Sequence, residues 1–318
     1  MSEVVGAAGL AALTVLLCGW WGIPQLRHAR LQQRIRDEAP ERHRGKAGTP
    51  TMGGVFILFA ILAATLLVHP WLTSKVGMIL LVMIGYGAVG AIDDVLALRR
   101  GRNLGLRARE RLAVQVPLAV LVALYVVRHT GEGSSLALPW IGRIDLGWFY
   151  LPFAVAYLVG FTNGVNLADG LDGLASGTVA IAAGAYAIIA MRHGAPDLAT
   201  VAGAIAGACL GFVWFNAHPA AVFMGDVGSN ALGAMLATLA LLTKTEFLLF
   251  LVGVVFVLEA ASVLLQVVYF KVTHGRRLFR MSPLHHHFEL VGWTETHTVT
   301  RMWLVAAAGA VVGLALRF

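Results

Sequence analysis

The chain is short of charge and almost free of cysteine. Only 13% of its 318 residues are Asp, Glu, Lys or Arg, where a soluble globular chain carries roughly 25%. That shortage excludes a soluble domain built around one core. Both cysteines, Cys18 and Cys209, fall inside apolar runs, which excludes a disulfide framework or a cysteine zinc site. Glu3 is the one charge before the first apolar run. The basic head of a cleaved signal peptide is therefore missing, and that run reads as a retained helix. Three catalytic signatures are missing too: the Gly-x-x-x-x-Gly-Lys-Ser/Thr order of a phosphate-binding loop, the His-Glu-x-x-His of a zincin, and a Ser–His–Asp elbow.

What the chain has is apolar length. Hydrophobic residues make up 58% of it, with Gly and Ala interrupting the runs as close helix packing in lipid requires. Runs at 4–24, 52–69, 76–96, 111–128, 148–165, 174–191, 199–215, 227–243, 247–270 and 301–317 are each long enough to approach or span a bilayer. The expectation is an all-α polytopic integral membrane protein of about ten transmembrane helices, forming a single transmembrane catalytic domain over 1–318. The ninth run is long enough to tilt or kink.

A net charge of +7 does not mark a nucleic-acid binder here, because eighteen of the 24 Lys and Arg fall in three loops, 25–50, 97–111 and 271–301. With ten spans those loops share one side, and the positive-inside rule makes it cytoplasmic. Both termini then face outward. The same count puts the polar clusters on the cytoplasmic side. Outer loops are short or bland, and the longest, 129–147 with Trp140, suits a small interfacial hairpin. A channel or alternating-access transporter keeps ionisable groups near the membrane midplane. Glu259 and Gln266 of the ninth run are the nearest to that.

Five polar clusters carry candidate chemistry. Adjacent Asp93 and Asp94 end the third run, where two carboxylates repel each other and oppose the helix dipole unless a cation compensates. Asn163, Asn166, Asp169 and Asp172 recur every third residue beside Gly170, a rhythm that on a helical or 3₁₀ path lays four polar groups along one face. Such an oxygen-rich face suits a hydrated divalent ion or a sugar. The spacing is not that of an EF-hand, and magnesium would take a few carboxylates plus substrate phosphate oxygens. In 216–229, Asn216 leads towards Asp226 and Ser229 at a helix start, where free amides favour phosphate. Phe223 is either a surface for a flat base or an interfacial anchor. His285, His286 and His287 cannot all point one way on a helix. Lys46 and Thr51, in the Gly-rich 46–54 segment, can contact phosphate or simply start a helix. Together these favour metal-assisted phosphoryl transfer at the membrane surface, and a lipid substrate explains why the chain lies in the bilayer.

Read in order, Lys-Ala-Gly-Thr-Pro-Thr-Met-Gly-Gly (46–54), Asp-Asp (93–94), Asn-Gly-Val-Asn-Leu-Ala-Asp-Gly-Leu-Asp-Gly-Leu-Ala (163–175), Asn-Ala-His-Pro-Ala-Ala-Val-Phe-Met-Gly-Asp-Val-Gly-Ser (216–229) and Arg-Met-Ser-Pro-Leu-His-His-His-Phe-Glu-Leu-Val-Gly-Trp (280–293) resemble the phospho-N-acetylmuramoyl-pentapeptide transferases. These belong to the polyprenyl-phosphate N-acetylhexosamine-1-phosphate transferase superfamily. The Pro-Leu-His-His-His-Phe-Glu form resembles the muramoyl-pentapeptide branch rather than the N-acetylglucosamine-phosphate branch.

The resemblance implies a reaction between UDP-MurNAc-pentapeptide and undecaprenyl phosphate that yields lipid I and UMP, in the bacterial inner membrane. It implies magnesium, a broken ninth helix beside a lipid groove, and a homodimer. It implies Asp226 as the metal ligand and Asp93 as the group that deprotonates the lipid phosphate, with Asp94 beside it and His285 in the catalytic group. Lys46, Asn166, Asn216, His285 and His286 are implied contacts to the nucleotide diphosphate or its surroundings. Asp169, Gly170 and Asp172 resemble uridine-pocket or active-site residues, and Phe223 a base-facing aromatic. Thr51, Asn163 and His287 complete the expected substrate-binding set. One position departs from the pattern: the lysine three residues beyond the second aspartate is Ala97 here, and Arg99, Arg100 or Arg109, or a different local path, is expected to supply the lost cation. Direct attack and a covalent phosphosugar–aspartate route both remain open, with direct attack favoured. A lipid-linked substrate transporter or flippase is the rival from another class.

Overall fold

The computed structural model describes residues 1–29, 48–69, 72–100 and 105–316. Lys46 and most of the 25–50 basic loop lie outside the described residues. Helices dominate: α1 Ser2–His28, α2 Gly54–Val68, α3 Ser74–Arg100, α4 Ala108–His129, α5 Tyr150–Ala168, α6 Leu174–Arg192, α7 Pro196–Asn216, α8 Gly225–Thr243, α9 Glu246–Val252, α10 Val254–Val272, α11 Leu284–Val291 and α12 Glu295–Ala315. Among the described residues, nine helices are long and apolar enough to cross a membrane. The protein is an all-α polytopic membrane protein.

Two of the ten expected spans look different. The 52–69 run forms a helix of 15 residues, Gly54–Val68, short for a crossing. The 247–270 run breaks at Gly253 into α9 and α10. Glycine costs a helix roughly 1 kcal/mol relative to alanine, and a Cβ at Gly253 would press on the Leu249 carbonyl at 2.8 Å. The break therefore falls where the helix is intrinsically weakest.

The bundle is organised around α8, which is buried along nearly its whole length. α3 and α5 pack along α8, while α1 and α6 pack along α7. The α1–α7 contact runs over Gly203, Gly207 and Gly211, spaced by four along one face. A Cβ on Gly207 would collide with the Ala8 carbonyl. This is backbone-to-backbone packing of the kind that replaces hydrophobic driving force in lipid. α1, α4 and α10 keep most of their surface outward, and α10 shows apolar side chains such as Leu264 and Val272.

Opposite ends of the bundle differ in chemistry. At one end the 129–147 connection forms the hairpin expected of it, β1 Ser135–Leu138 against β2 Gly142–Asp145, antiparallel, with Trp140 exposed at its tip. Buried Lys244, just past α8, donates to the Gly133 carbonyl at 3.0 Å, lies over the Tyr150 ring, and stands 3.7 Å from Glu246. Tyr150 donates to the same carboxylate at 2.7 Å. The other end gathers the termini of α3, α5 and α8 with the starts of α4 and α12, and carries the site.

Candidate active site

The site starts from glycines that let three helix ends meet. A Cβ on Gly90 of α3 would collide with the Asp226 backbone. Gly225, with φ +74, turns the chain into α8 with Asp94 and Thr51 against it. No side chain with a Cβ fits this approach without moving the carboxylates. Asp93, Asp94 and Asp226 are thereby brought together, although α3 and α8 lie more than 120 residues apart in sequence.

Each carboxylate has a different assignment. Asp94 Oδ1 accepts the Asp226 N–H at 3.2 Å and Oδ2 accepts the Val227 N–H at 3.1 Å. The amides at the start of α8, expected to be free for phosphate, are held by Asp94 instead. Asp93 Oδ1 accepts the Leu106 N–H at 2.6 Å and Arg111 Nε at 3.1 Å, and its Oδ2 accepts Arg111 Nη2 at 2.7 Å. Arg111 Nη2 also reaches Asp226 Oδ2 at 2.6 Å. The other Asp226 oxygen accepts from Asn166 Nδ2 at 2.8 Å, and that amide also donates to Ser229 Oγ at 2.9 Å.

The cation beside the aspartates is thus Arg111, not Arg99, Arg100 or Arg109. Arg100 turns to the Gly105 carbonyl, and Arg99 and Arg109 are exposed. Thr51 is buried against Gly225, and its hydroxyl has no hydrogen-bond partner among the described residues. A buried orphan hydroxyl costs free energy unless a ligand uses it.

The three-residue rhythm of 163–172 does not become one face. α5 ends at Ala168, so the path changes between Asn166 and Asp169. Asn163 donates to Val159 of its own helix at 2.8 Å, while Asn166 reaches Asp226. Asp169 stays beside the aspartate group, and its carboxyl is held well above the ordinary range, first by burial and then by repulsion from Asp226, Asp94 and Asp172. Asp172 is turned away from that group. Its Oδ2 accepts from the Ala220 N–H at 3.1 Å and lies 2.9 Å from His218 Nδ1. Its own N–H donates to Glu295 Oε1 at 2.8 Å.

Asn216 is buried with both amide atoms engaged. Its Oδ1 accepts from Gly173 N–H and Ser176 Oγ, and its Nδ2 donates to the Val222 carbonyl. It pins the 169–173 turn to the segment carrying half-buried Phe223. Phe223 in turn exchanges backbone bonds with Pro50 and Gly53, which docks the start of α2.

The three histidines diverge along α11. His285 is buried. Its Nδ1 stands 3.2 Å from Glu259 Oε2, at ion-pair distance without hydrogen-bond geometry, and its N–H donates to the same oxygen at 3.4 Å. The ring packs against Gly170, where a Cβ would collide with it, and its buried Nε2 has no partner among the described residues. His286 Nδ1 lies 3.0 Å from Glu289. His287 Nδ1 accepts from the Arg280 N–H at 3.2 Å. Gln266, two turns beyond Glu259 on α10, holds the preceding loop by accepting from Leu278 and Phe279 N–H. The two polar residues of the ninth run therefore position the histidine segment.

Three contributors, Arg111, His218 and Glu295, carry no signal of their role in the sequence, and neither does the pairing of Glu259 with His285. Asp172, His218 and Glu295 form a group that could hold a metal ion, with one ligand atom of each within 4.8 Å of the others. An imidazole donor suits softer ions better than magnesium, which prefers oxygen. The possible ligand atoms beside Asp226 are oxygens, from the Asp93 and Asp94 carboxylates and the Ser229 hydroxyl, while Arg111 and Asn166 nitrogens hold Asp226's own two oxygens. Oxygen ligands of that kind suit magnesium.

Carboxylates gathered at one end of a polytopic bundle fit a membrane-embedded transferase. A family profile described as Glycosyl transferase family 4 matches residues 76–244. A signature described as Phospho-N-acetylmuramoyl-pentapeptide-transferase signature 1 matches residues 46–58. Proteins named phospho-N-acetylmuramoyl-pentapeptide-transferase are similar along nearly the whole chain. That of Geobacillus kaustophilus is 48% identical, covering 98% of this chain and 96% of the relative. That of Heliobacterium modesticaldum is 47% identical over 99% and 98%, and that of Desulfotalea psychrophila 43% over 95% and 89%. The chain belongs to the phospho-N-acetylmuramoyl-pentapeptide-transferase family.

Proposed function

We propose that the chain transfers phospho-MurNAc-pentapeptide from UDP-MurNAc-pentapeptide to undecaprenyl phosphate, giving lipid I and UMP in peptidoglycan synthesis. The observation that carries this reading is identity of 43 to 48% to proteins of that name over nearly the full length. The whole chain acts as one transmembrane catalytic domain, as a homodimer in the bacterial inner membrane. Its ten spans count α2 and take α9 with α10 as one broken crossing. Both termini face outward and the site faces the cytoplasm, which the three basic loops support.

A lipid phosphate oxygen attacks the β-phosphorus of the UDP-sugar. The bond from that phosphorus to the bridging oxygen breaks, and UMP leaves with that oxygen. A phosphate monoester has its second pKa at about 6, so the nucleophile is largely dianionic at neutral pH and needs little help from a base. Charge neutralisation and alignment therefore carry most of the rate. Asp226 would hold magnesium, which supplies charge for the phosphate oxygens when bound.

Asp94 fixes the start of α8 and so the direction of Asp226. Asp93 is saturated by Leu106 and Arg111 and acts on the lipid phosphate once that pairing is broken. Asn166 orients Asp226, and His285 belongs to the catalytic group. Thr51 contacts the diphosphate, for which Lys46 is also an expected contact by its place in the sequence. Asp169, Gly170, Asp172 and Phe223 shape the uridine pocket that Asn163 and Asn216 buttress. His286 and His287 line its edge.

The test is UMP release from purified protein given undecaprenyl phosphate with either UDP-MurNAc-pentapeptide or UDP-N-acetylglucosamine. Release is expected with the first sugar only. Release with the second alone would move the protein to the other branch, and lipid movement without UMP would make it a transporter.

A further inference from the structure

Arg111 lies in the first turn of α4, and its guanidinium faces the most negative part of the protein. Asp93 and Asp226 share its Nη2, at 2.7 and 2.6 Å, while Nε adds a second bond to Asp93 at 3.1 Å. The side chain is only 20% exposed. At position 97, one turn beyond Asp93 and Asp94 on α3, an alanine contributes no charge. Arg111 is thus the cation that directly contacts both Asp93 and Asp226. A guanidinium is permanently charged and binds carboxylates as a planar fork.

A divalent cation needs the oxygen that Arg111 now occupies. Asp226 Oδ2 cannot keep a guanidinium bond of 2.6 Å and accept a doubly charged ion on the same side, because the two cations would repel each other at close range. We propose that Arg111 is the resident counter-ion of the Asp93–Asp226 pair and competes with the divalent cation for Asp226. The protein thereby exchanges one cation for another, and the carboxylates are never left buried and uncompensated. Once displaced, the guanidinium is free to bind the anionic phosphates of the substrate. The proposal rests on Asp226 being the metal ligand, and it assigns to Arg111 a positioning role that sets cation affinity.

The experiment is Mn²⁺ binding to the full-length protein in detergent, read as loss of the free-ion electron paramagnetic resonance signal, with no substrate present. Arg111→Met is expected to tighten Mn²⁺ binding about tenfold by removing the competing charge. Arg111→Lys keeps the charge but loses the fork, and is expected to tighten it about threefold. Arg109→Met, on the exposed side of the same turn, is expected to leave it unchanged. A merely structural arginine would give the opposite sign, because disturbing the site weakens binding. Unchanged or weaker binding in Arg111→Met overturns the proposal, as does equal tightening in Arg109→Met. If Arg111→Met does not fold, wild-type affinity in Arg111→Lys overturns it. Asp226→Asn is expected to abolish the Mn²⁺ site. Its retention there would sink the metal assignment itself, whatever the arginine variants show.

Discussion

Asp94 caps a helix to which it does not belong. Its two carboxylate oxygens accept the N–H groups of Asp226 and Val227 at 3.2 and 3.1 Å, and the residue preceding α8, Met224, offers no side-chain cap of its own. A negative charge at a helix N-terminus also complements the dipole. The pair of adjacent aspartates therefore divides its labour: Asp93 faces Arg111, and Asp94 locks the α3–α8 junction. Asp94→Ala should cost about 1–2 kcal/mol of stability, the usual effect of losing an N-cap. Asp94→Asn, which keeps one acceptor, should cost less. Thermal unfolding in detergent with a chelator present measures both. Unchanged melting of Asp94→Ala would remove the cap from the account.

Much of this arrangement is legible in the residues. Hydropathy separates apolar spans from polar loops, so the clusters at 93–94, 163–172, 216–229 and 285–287 stand out in the sequence itself. The start of α8 is legible from Gly225-Asp226, since glycine there permits the positive φ. The rest depends on contacts between distant segments. Arg111 is one arginine among six in its loop, and nothing local distinguishes the one that reaches Asp226, 115 positions away. Regular spacing misleads at 163–172, because α5 stops at Ala168 and turn geometry sends Asp172 to His218. Glu259 is visible as a carboxylate in an apolar run, while its partner requires the fold of α11 against α10.

Glu259 and His285 should behave as one unit. Both are buried, and Glu259 approaches the ring through Nδ1 while the buried Nε2, packed against Gly170, makes no hydrogen bond among the described residues. Glu259→Gln should lower turnover with little change in the substrate's KM, because the ring loses its orientation rather than its contacts. Adding His285→Ala to Glu259→Gln should then cost little more than His285→Ala alone, giving a coupling energy of about 1–3 kcal/mol in a double-mutant cycle. Additive effects on turnover would show that the two residues act separately.

Lys244 and Glu246 hold the far end of the bundle, away from the carboxylates. Both are buried, and Tyr150 donates to the same carboxylate. Removing Lys244 leaves Glu246 with the Tyr150 hydrogen bond but without its counter-charge in a buried site. Lys244→Met should therefore cost about 3–5 kcal/mol of stability, and the double variant Lys244→Met with Glu246→Gln should recover much of it. Protein surviving purification should keep the wild-type KM for the UDP-sugar. A Lys244→Met variant with wild-type melting would show that the pair carries no net stability.

Asp169 supplies the pH dependence. Burial and three neighbouring aspartates hold its carboxyl well above the ordinary value, which is about 3.9 in an unfolded chain. The folded protein therefore keeps a proton that the unfolded chain releases. Stability falls as pH rises from the unfolded value towards the folded one, and the penalty is complete above the latter. Asp169→Asn carries no such proton, so it should melt at a higher temperature than wild type near neutral pH. The gap should close as the buffer is taken towards pH ~4. Melting curves across that range, with chelator present so that no cation offsets the charge, measure it. A gap that is independent of pH, or wider at low pH, would mean that Asp169 is ionised in the folded protein.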